Sequence, residues 1–253
     1  MRILIKLLSI TLFLTLFLYS NPVYSNEKSI TIAAAADTAF ALNEIAQGFE
    51  KETGIKVILT FGSTGMLFHQ IENGAPFHAF FSANKSYIDR LMEKGLVIPE
   101  TQVVYAQGRI VLAVNKNYGV NAKKLEDLLN PEIKKVAIAN PAHAPYGIAA
   151  KEALIKFNLW DKLKPKLVYT DNVRQALQFV QTGNADAGII ALSIAGLPQI
   201  SYTIIDDNLH EPLIQSAAVI KGAGLEKEAR EFLKYAAGAQ GKIILKKYGF
   251  IVP

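Results

Sequence analysis

The chain has 253 residues, a formal net charge of +5, 51% hydrophobic residues and no cysteine. Without cysteine there is no disulfide, thiol nucleophile, cysteine metal ligand or lipid-anchored cysteine, so stability must come from one or two hydrophobic cores. The positive charge is spread out; its densest clusters, Lys162-Leu163-Lys164-Pro165-Lys166 and Lys246-Lys247, lack interleaved aromatics, which argues against nucleic acid as a partner.

Arg2 and Lys6 form a short basic start. Residues 7–18 are apolar but too few to span a bilayer comfortably, and Asn21-Pro22 breaks the run before Val23-Tyr24-Ser25, which resembles a small-x-small cleavage site. Residues 1–25 are therefore expected to be a cleavable signal peptide that delivers a free protein to the periplasm.

Residues 30–35 read as a buried strand ending in small residues. Asp37-Thr38 then opens a helix with Leu42, Ile45, Ala46 and Phe49 on one face. Gly54 ends that helix and 55–59 is the next strand. Phe61-Gly62-Ser63-Thr64-Gly65 follows as a tight turn into a helix through Leu67 and Ile71. Residues 77–81 form a short strand, followed by a helix through Ile88, Leu91 and Met92 that Gly95 stops. After a separator near 105–108, 110–114 is strongly β-prone. Leu125, Leu128 and Leu129 mark a short helix, and 136–139 is a strand. The turn 140–147 opens a helix through Ala150, Leu154 and Phe157. Strand 167–169 leads through Thr170-Asp171-Asn172 into a helix through Val173, Ala176, Leu177 and Val180. Strands at 187–191, 202–205 and 216–220 and two amphipathic helices complete the chain.

Alternating strands and helices predict an α/β fold with parallel sheets, here in two runs. The expected division is 26–107 with 222–253 in a first lobe and 108–221 in a second. The strands after Gly108 and at 216–220 are candidates to carry the chain across and back. Ligands of open α/β sheets bind beyond the carboxyl ends of strands. Four turns there carry donors: Ala36-Asp37-Thr38, Ser63-Thr64, Pro145-Tyr146-Gly147 and Asn172-Val173. Two come from each run, so a cleft between lobes is expected. At the Ser63-Thr64 turn, free helix-opening N–H groups, the positive end of a helix dipole and two hydroxyls suit an anion, and Gly62 and Gly65 let backbone approach it.

Several blocks in one order carry a resemblance over residues 30–253. They are Ala33-Ala34-Ala35-Ala36-Asp37, Phe61-Gly62-Ser63-Thr64-Gly65, Gln70-Ile71-Glu72-Asn73-Gly74-Ala75-Pro76 and Phe81-Ser82-Ala83. Asn140-Pro141-Ala142-His143-Ala144-Pro145-Tyr146-Gly147, Asn172-Val173 and Lys247-Tyr248-Gly249-Phe250 continue the series. The chain resembles the periplasmic molybdate-binding proteins of ABC importers. The resemblance implies a two-lobed type II periplasmic binding fold, each lobe a mainly parallel sheet flanked by helices. It implies a monomer that holds molybdate or tungstate in the interdomain cleft and passes it to a membrane permease, with no cofactor. It also implies contacts from Asp37 and Thr38, hydroxyl and backbone donors from Ser63 and Thr64, a contact from Tyr146, and the backbone N–H of Val173. The chain departs from the pattern at Asp37, where many relatives have serine or asparagine, and at Ala191, where some place a ligand tyrosine. Tyr146 is expected to replace that hydroxyl. Asp37 is expected to turn away and cap its own helix, leaving Thr38 as the side-chain donor; the alternatives are that it stays protonated and donates, or that the ligand is not a simple dianion.

The chemistry agrees with such a ligand. A tetrahedral dianion offers only acceptors, and Ser, Thr, Tyr and backbone N–H groups supply donors without a full ion pair. Another oxyanion such as sulfate or phosphate, or a small organic anion, is the alternative within the same class. An enzyme is the rival from another class, but the chain lacks a cysteine, His-Glu-x-x-His and Gly-x-Ser-x-Gly, and His143 reads as a hydrogen-bonded buried histidine rather than a general base. A metal-cation site is disfavoured because Asp37 is the only acid placed in the cleft.

Overall fold

The computed structural model describes residues 28–253; the expected signal peptide, residues 1–25, lies outside the described residues. The first sheet has the order β2-β1-β3-β10-β4, built from β1 (Ser29–Ala35), β2 (Lys56–Gly62), β3 (Ala79–Ser82), β4 (Val103–Gly108) and β10 (Leu213–Val219). The second repeats the pattern as β7-β6-β8-β5-β9, with β5 (Ile110–Asn115), β6 (Val136–Ala139), β7 (Leu167–Thr170), β8 (Ala187–Ala191) and β9 (Ile200–Ile204). β1 runs parallel to β2 and β3, and β6 parallel to β7 and β8. β10 is antiparallel to both its neighbours, and so is β5. Each sheet therefore has one reversed strand, so the parallel strands of a lobe all deliver their carboxyl ends to one side.

Helices follow the strands as the sequence periodicity requires: α1 (Ala39–Thr53), α2 (Thr64–Glu72) and α3 (Lys85–Glu93) in the first run, then α4 (Pro145–Lys156), α5 (Trp160–Leu163) and α6 (Val173–Gln181). α7 (Glu226–Ala237) and α8 (Ala239–Lys247) end the chain against the first sheet. Period-2 alternation divides β1 between two cores. Ile30, Ile32 and Ala34 pack with α1 and α7, while Ala33 packs with Leu67, Phe68 and Ile88 on the other face. Phe49, Phe81 and Phe232 meet edge to face at 5.3 and 5.8 Å, contacts worth about 0.5–1.5 kcal/mol each beyond their buried area. The first lobe's Ala35, Ala36 and Ala83 pack into the second lobe's core, so small residues line the seam between lobes.

Two expectations need correction. Residues 103–108 are a strand, not a separator; Val103, Gln107 and Gly108 break a clean alternation that the buried Tyr105 and Ala106 leave incomplete. The return strand lies wholly in the first sheet, paired with β3 and β4, so residues 213–221 do not belong with the second lobe. The chain leaves the first sheet at Gly108 and returns after β9. Arg109 Nε pairs with Asp207 at 3.0 Å and ties these two connections together. At the free side of β4, Gln107 exchanges backbone hydrogen bonds with Ile251, so the C-terminal tail covers that edge.

Candidate functional site

Asp37, Ser63, Thr64, Tyr146, Asn172 and Val173 surround one small cavity between the lobes, with Ala35, Ala36, Gly62, Ala83, Ala144 and Pro145 filling the rest of its wall. These residues follow the carboxyl ends of β1, β2, β6 and β7, where the open-sheet rule places a ligand.

Three helices open onto it. Ser63 caps α2, its Oγ accepting a long bond from the Met66 amide at 3.4 Å. The Gly65 amide donates to the His143 carbonyl at 2.9 Å across the seam, and a Cβ on Gly65 would lie only 2.6 Å from that oxygen, so the position requires glycine. In α4 the amides of Gly147 and Ile148 both return to the Ala144 carbonyl. In α6 the Asn172 side chain takes the Arg174 and Gln175 amides at 3.1 Å each. The first-turn amides of the cavity residues Thr64, Tyr146 and Val173 are what this capping leaves over. The Thr64 hydroxyl accepts from the Ala83 amide at 3.0 Å and keeps its own proton to donate. No lysine or arginine lines the cavity. Three helix dipoles with their positive ends inward are its electropositive elements, an arrangement that binds anions through fixed N–H groups. Arg174 stands further out, where its guanidinium lies 6.0 Å above the Phe61 ring at the mouth of the cleft.

Three expectations about side chains fail here. Thr38 is buried and does not reach the cavity wall; its hydroxyl donates to the Ala35 carbonyl at 2.7 Å. Asp37 caps nothing, because residues 36–38 form a short 3-10 turn with no side-chain cap. Its Oδ2 instead accepts from Tyr146 Oη at 2.9 Å and from Gln215 Nε2. The Tyr146 hydroxyl is therefore engaged by Asp37, and what Tyr146 offers the cavity is its backbone amide. The buried Asp37 has no cationic partner, and burial raises its carboxyl from 3.8 to about 7 against the pull of Gln215 and Tyr146.

Three residues, Tyr105, Ser193 and Gln215, escaped the sequence reading of this site, whereas His143 was read as hydrogen-bonded. Tyr105 donates to Gln215 Oε1 at 2.7 Å, and Ser193 Oγ donates to the Asp37 carbonyl at 2.8 Å. His143 Nδ1 lies 2.8 Å from Ser63 Oγ. A signal for Gln215 was present: Gln215-Ser216 interrupts an otherwise apolar strand, and both are fully buried. Tyr105 and Ser193 carried none.

A two-lobed α/β protein in which helix N-terminal amides converge on a cavity between the lobes is built to hold a small anion. The profile of the family described as bacterial extracellular solute-binding proteins matches residues 30–251, and the chain belongs to that family. It is 36% identical over 225 residues to the molybdate-binding protein ModA of Azotobacter vinelandii, covering 87% of this chain and 89% of the other. It is 33% identical over 246 residues to ModA of Escherichia coli, covering 93% and 94%. The structure of the Azotobacter vinelandii periplasmic molybdate-binding protein superposes with a TM-score of 0.83 at 31% identity, covering 88% of this chain and 99% of that one.

Proposed function

We propose that this protein captures molybdate, or its analogue tungstate, in the periplasm and delivers it to the membrane permease of an ABC importer. The observation that carries the reading is the convergence of the Thr64, Tyr146 and Val173 amides and the Ser63 and Thr64 hydroxyls on a cavity without a cation. A tetrahedral dianion presents acceptors only, and these groups meet it with donors. Neutral donors also permit release, since no full ion pair has to be broken at the permease. The relatives at 32–36% identity that bear the name ModA support the choice of ion. On this reading the protein works as a monomer, without cofactor or catalysis, and residues 1–25 are its export signal.

One contact invites an enzymatic reading: the serine–histidine pair Ser63 and His143 at 2.8 Å. A working pair needs a third group to orient the histidine. No hydrogen bond to His143 Nε2 is formed among the described residues.

A thermal-shift series with molybdate, tungstate, sulfate, phosphate and citrate tests the proposal. Ligand at ~100-fold over Kd stabilises by about 2.7 kcal/mol, which in a chain of this size raises Tm by roughly 5–10 °C. Molybdate and tungstate should do so and sulfate should not. No response to any oxyanion would overturn the reading.

A further inference from the structure

Asp37 is the one carboxylate in the cavity wall, and its hydrogen bonding is lopsided. Oδ2 accepts from both Tyr146 Oη and Gln215 Nε2, whereas Oδ1 is buried without a hydrogen-bond partner. The direction of the network is set from behind. Tyr105 Oη donates to Gln215 Oε1, which turns the Nε2 end of that amide to Asp37. The second Nε2 proton goes to Tyr146 Oη at 3.1 Å, so the phenol proton of Tyr146 goes to Asp37. Both side-chain donors thus end on Oδ2, the Asp37 backbone amide adds a weaker pull on the carboxyl, and Oδ1, without a hydrogen-bond partner, is the place left for a proton. An ionised Asp37 would present a bare, buried oxygen to the ligand and repel a dianion. A neutral Asp37 presents one more O–H donor, and among the described residues Oδ1 has no hydrogen-bond partner.

We propose that Asp37 binds the oxyanion as the neutral acid, donating its Oδ1 proton to a ligand oxygen, so that each acceptor-only oxyanion is captured together with one proton. The inference rests on the oxyanion reading above and adds the proton to it. No bond to the metal is involved; the contact is to an oxygen of the ion.

The surroundings leave Asp37 as the group that titrates. α4 contributes Tyr146 and β4 contributes Tyr105; burial, then the charge of Asp37, push both phenols well above their ordinary value, and they stay protonated. β10 contributes Gln215 and the turn after β8 contributes Ser193, neither of which ionises. His143 stands across the cavity on Ser63, and no lysine, arginine or histidine among the described residues pairs with the Asp37 side chain. With the free carboxyl near 7, uptake follows pH with a definite sign. Below that value the protein already carries the proton. Above it, each bound ion must bring one in, and affinity falls about tenfold per pH unit.

Titration calorimetry with sodium molybdate in pairs of buffers of different ionisation enthalpy, Tris and EPPS at pH 8.5 and MES and Bis-Tris at pH 6, tests this. Wild type should take up close to one proton per ion at pH 8.5 and only ~0.1 at pH 6. Asp37→Asn should bind with an affinity that does not change over that range and with no uptake. Molybdate binding by wild type without proton uptake and with constant affinity from pH 6 to 9 would overturn the inference and leave the oxyanion reading intact. An Asp37→Asn variant that retains the slope would overturn it too, by placing the proton elsewhere. Absence of binding at any pH, for molybdate, tungstate and sulfate alike, would overturn both. If Asp37→Asn does not fold, the two-buffer comparison on wild type decides alone.

Discussion

Asp37 should make the ligand-free protein less stable as pH rises, and Asp37→Asn should remove the effect. A carboxyl whose folded value is raised holds its proton more tightly in the folded than in the unfolded chain. Its contribution is fully present below its ordinary value of 3.8 and is lost as pH rises through about 7. At about 1.4 kcal/mol per pH unit, the rise from 3.8 to about 7 corresponds to about 4 kcal/mol. That is a large part of the roughly 5–15 kcal/mol that holds a domain folded. Asparagine is the right control. Its carbonyl oxygen can accept from Tyr146 and Gln215 as Oδ2 does, its amide N–H replaces the acid O–H, and it does not titrate. Urea unfolding of both proteins at pH 4.5, 6 and 7.5 supplies the comparison. The difference between them cancels shared titrations, such as those of Glu44 and Glu72, both held low by lysine partners that outweigh burial. The gap should move in favour of the variant by about 3 kcal/mol between pH 4.5 and 7.5. Parallel curves would refute the argument that burial burdens this carboxyl.

The network can also be broken from behind. A Cβ on Gly108 would overlap the Tyr146 hydroxyl and lie 2.8 Å from Gln215 Nε2, so Gly108→Ala should push both donors off Asp37. Each buried bond lost is worth ~1–3 kcal/mol, and molybdate affinity measured by calorimetry should fall at least ~tenfold; unchanged affinity would mean the network does not shape the site. Ser63→Ala and Thr64→Ala each delete a donor to a charged ligand, at about 1.5–3 kcal/mol of binding, whereas Ser63→Ala should lower fold stability by only ~1 kcal/mol because its capping bond is long. Wild-type affinity in both variants would reduce the turn to an ordinary helix start.

Much of this molecule is local in origin. Period-2 runs such as Ile30 to Ala34 and helical spacings such as Leu42, Ile45, Ala46 and Phe49 are set by neighbours in the chain, and they place strands and helices where the structure has them. Helix starts are local as well: a Ser or Asn before an apolar period caps its own amides, so Ser63 and Asn172 could be read as anion-facing turns from sequence alone. Pro145 likewise marks the start of α4 and makes the Tyr146 amide a first-turn donor.

Side-chain direction at those turns is not local, and it was misjudged at all three doubtful positions. Whether Asp37 caps a helix or faces a partner depends on Gln215, 178 residues away, and Tyr146, 109 residues away. The family resemblance implies a ligand contact from Thr38, yet in the 3-10 turn its hydroxyl donates to the Ala35 carbonyl. The membership of β10 shows the same division. The strand expected at 216–220 follows from its composition and begins earlier, at Leu213. That it joins the first sheet follows from which edge was free to accept its backbone hydrogen bonds, and only the assembled lobes determine that. The sequence by itself determined most of the elements, though not β4, together with the four turns at the cavity and the donors that their backbones present. Tertiary structure alone decided that a lone carboxylate would be buried among them with one oxygen saturated and the other free, because that environment is assembled from strands and helices remote in the chain.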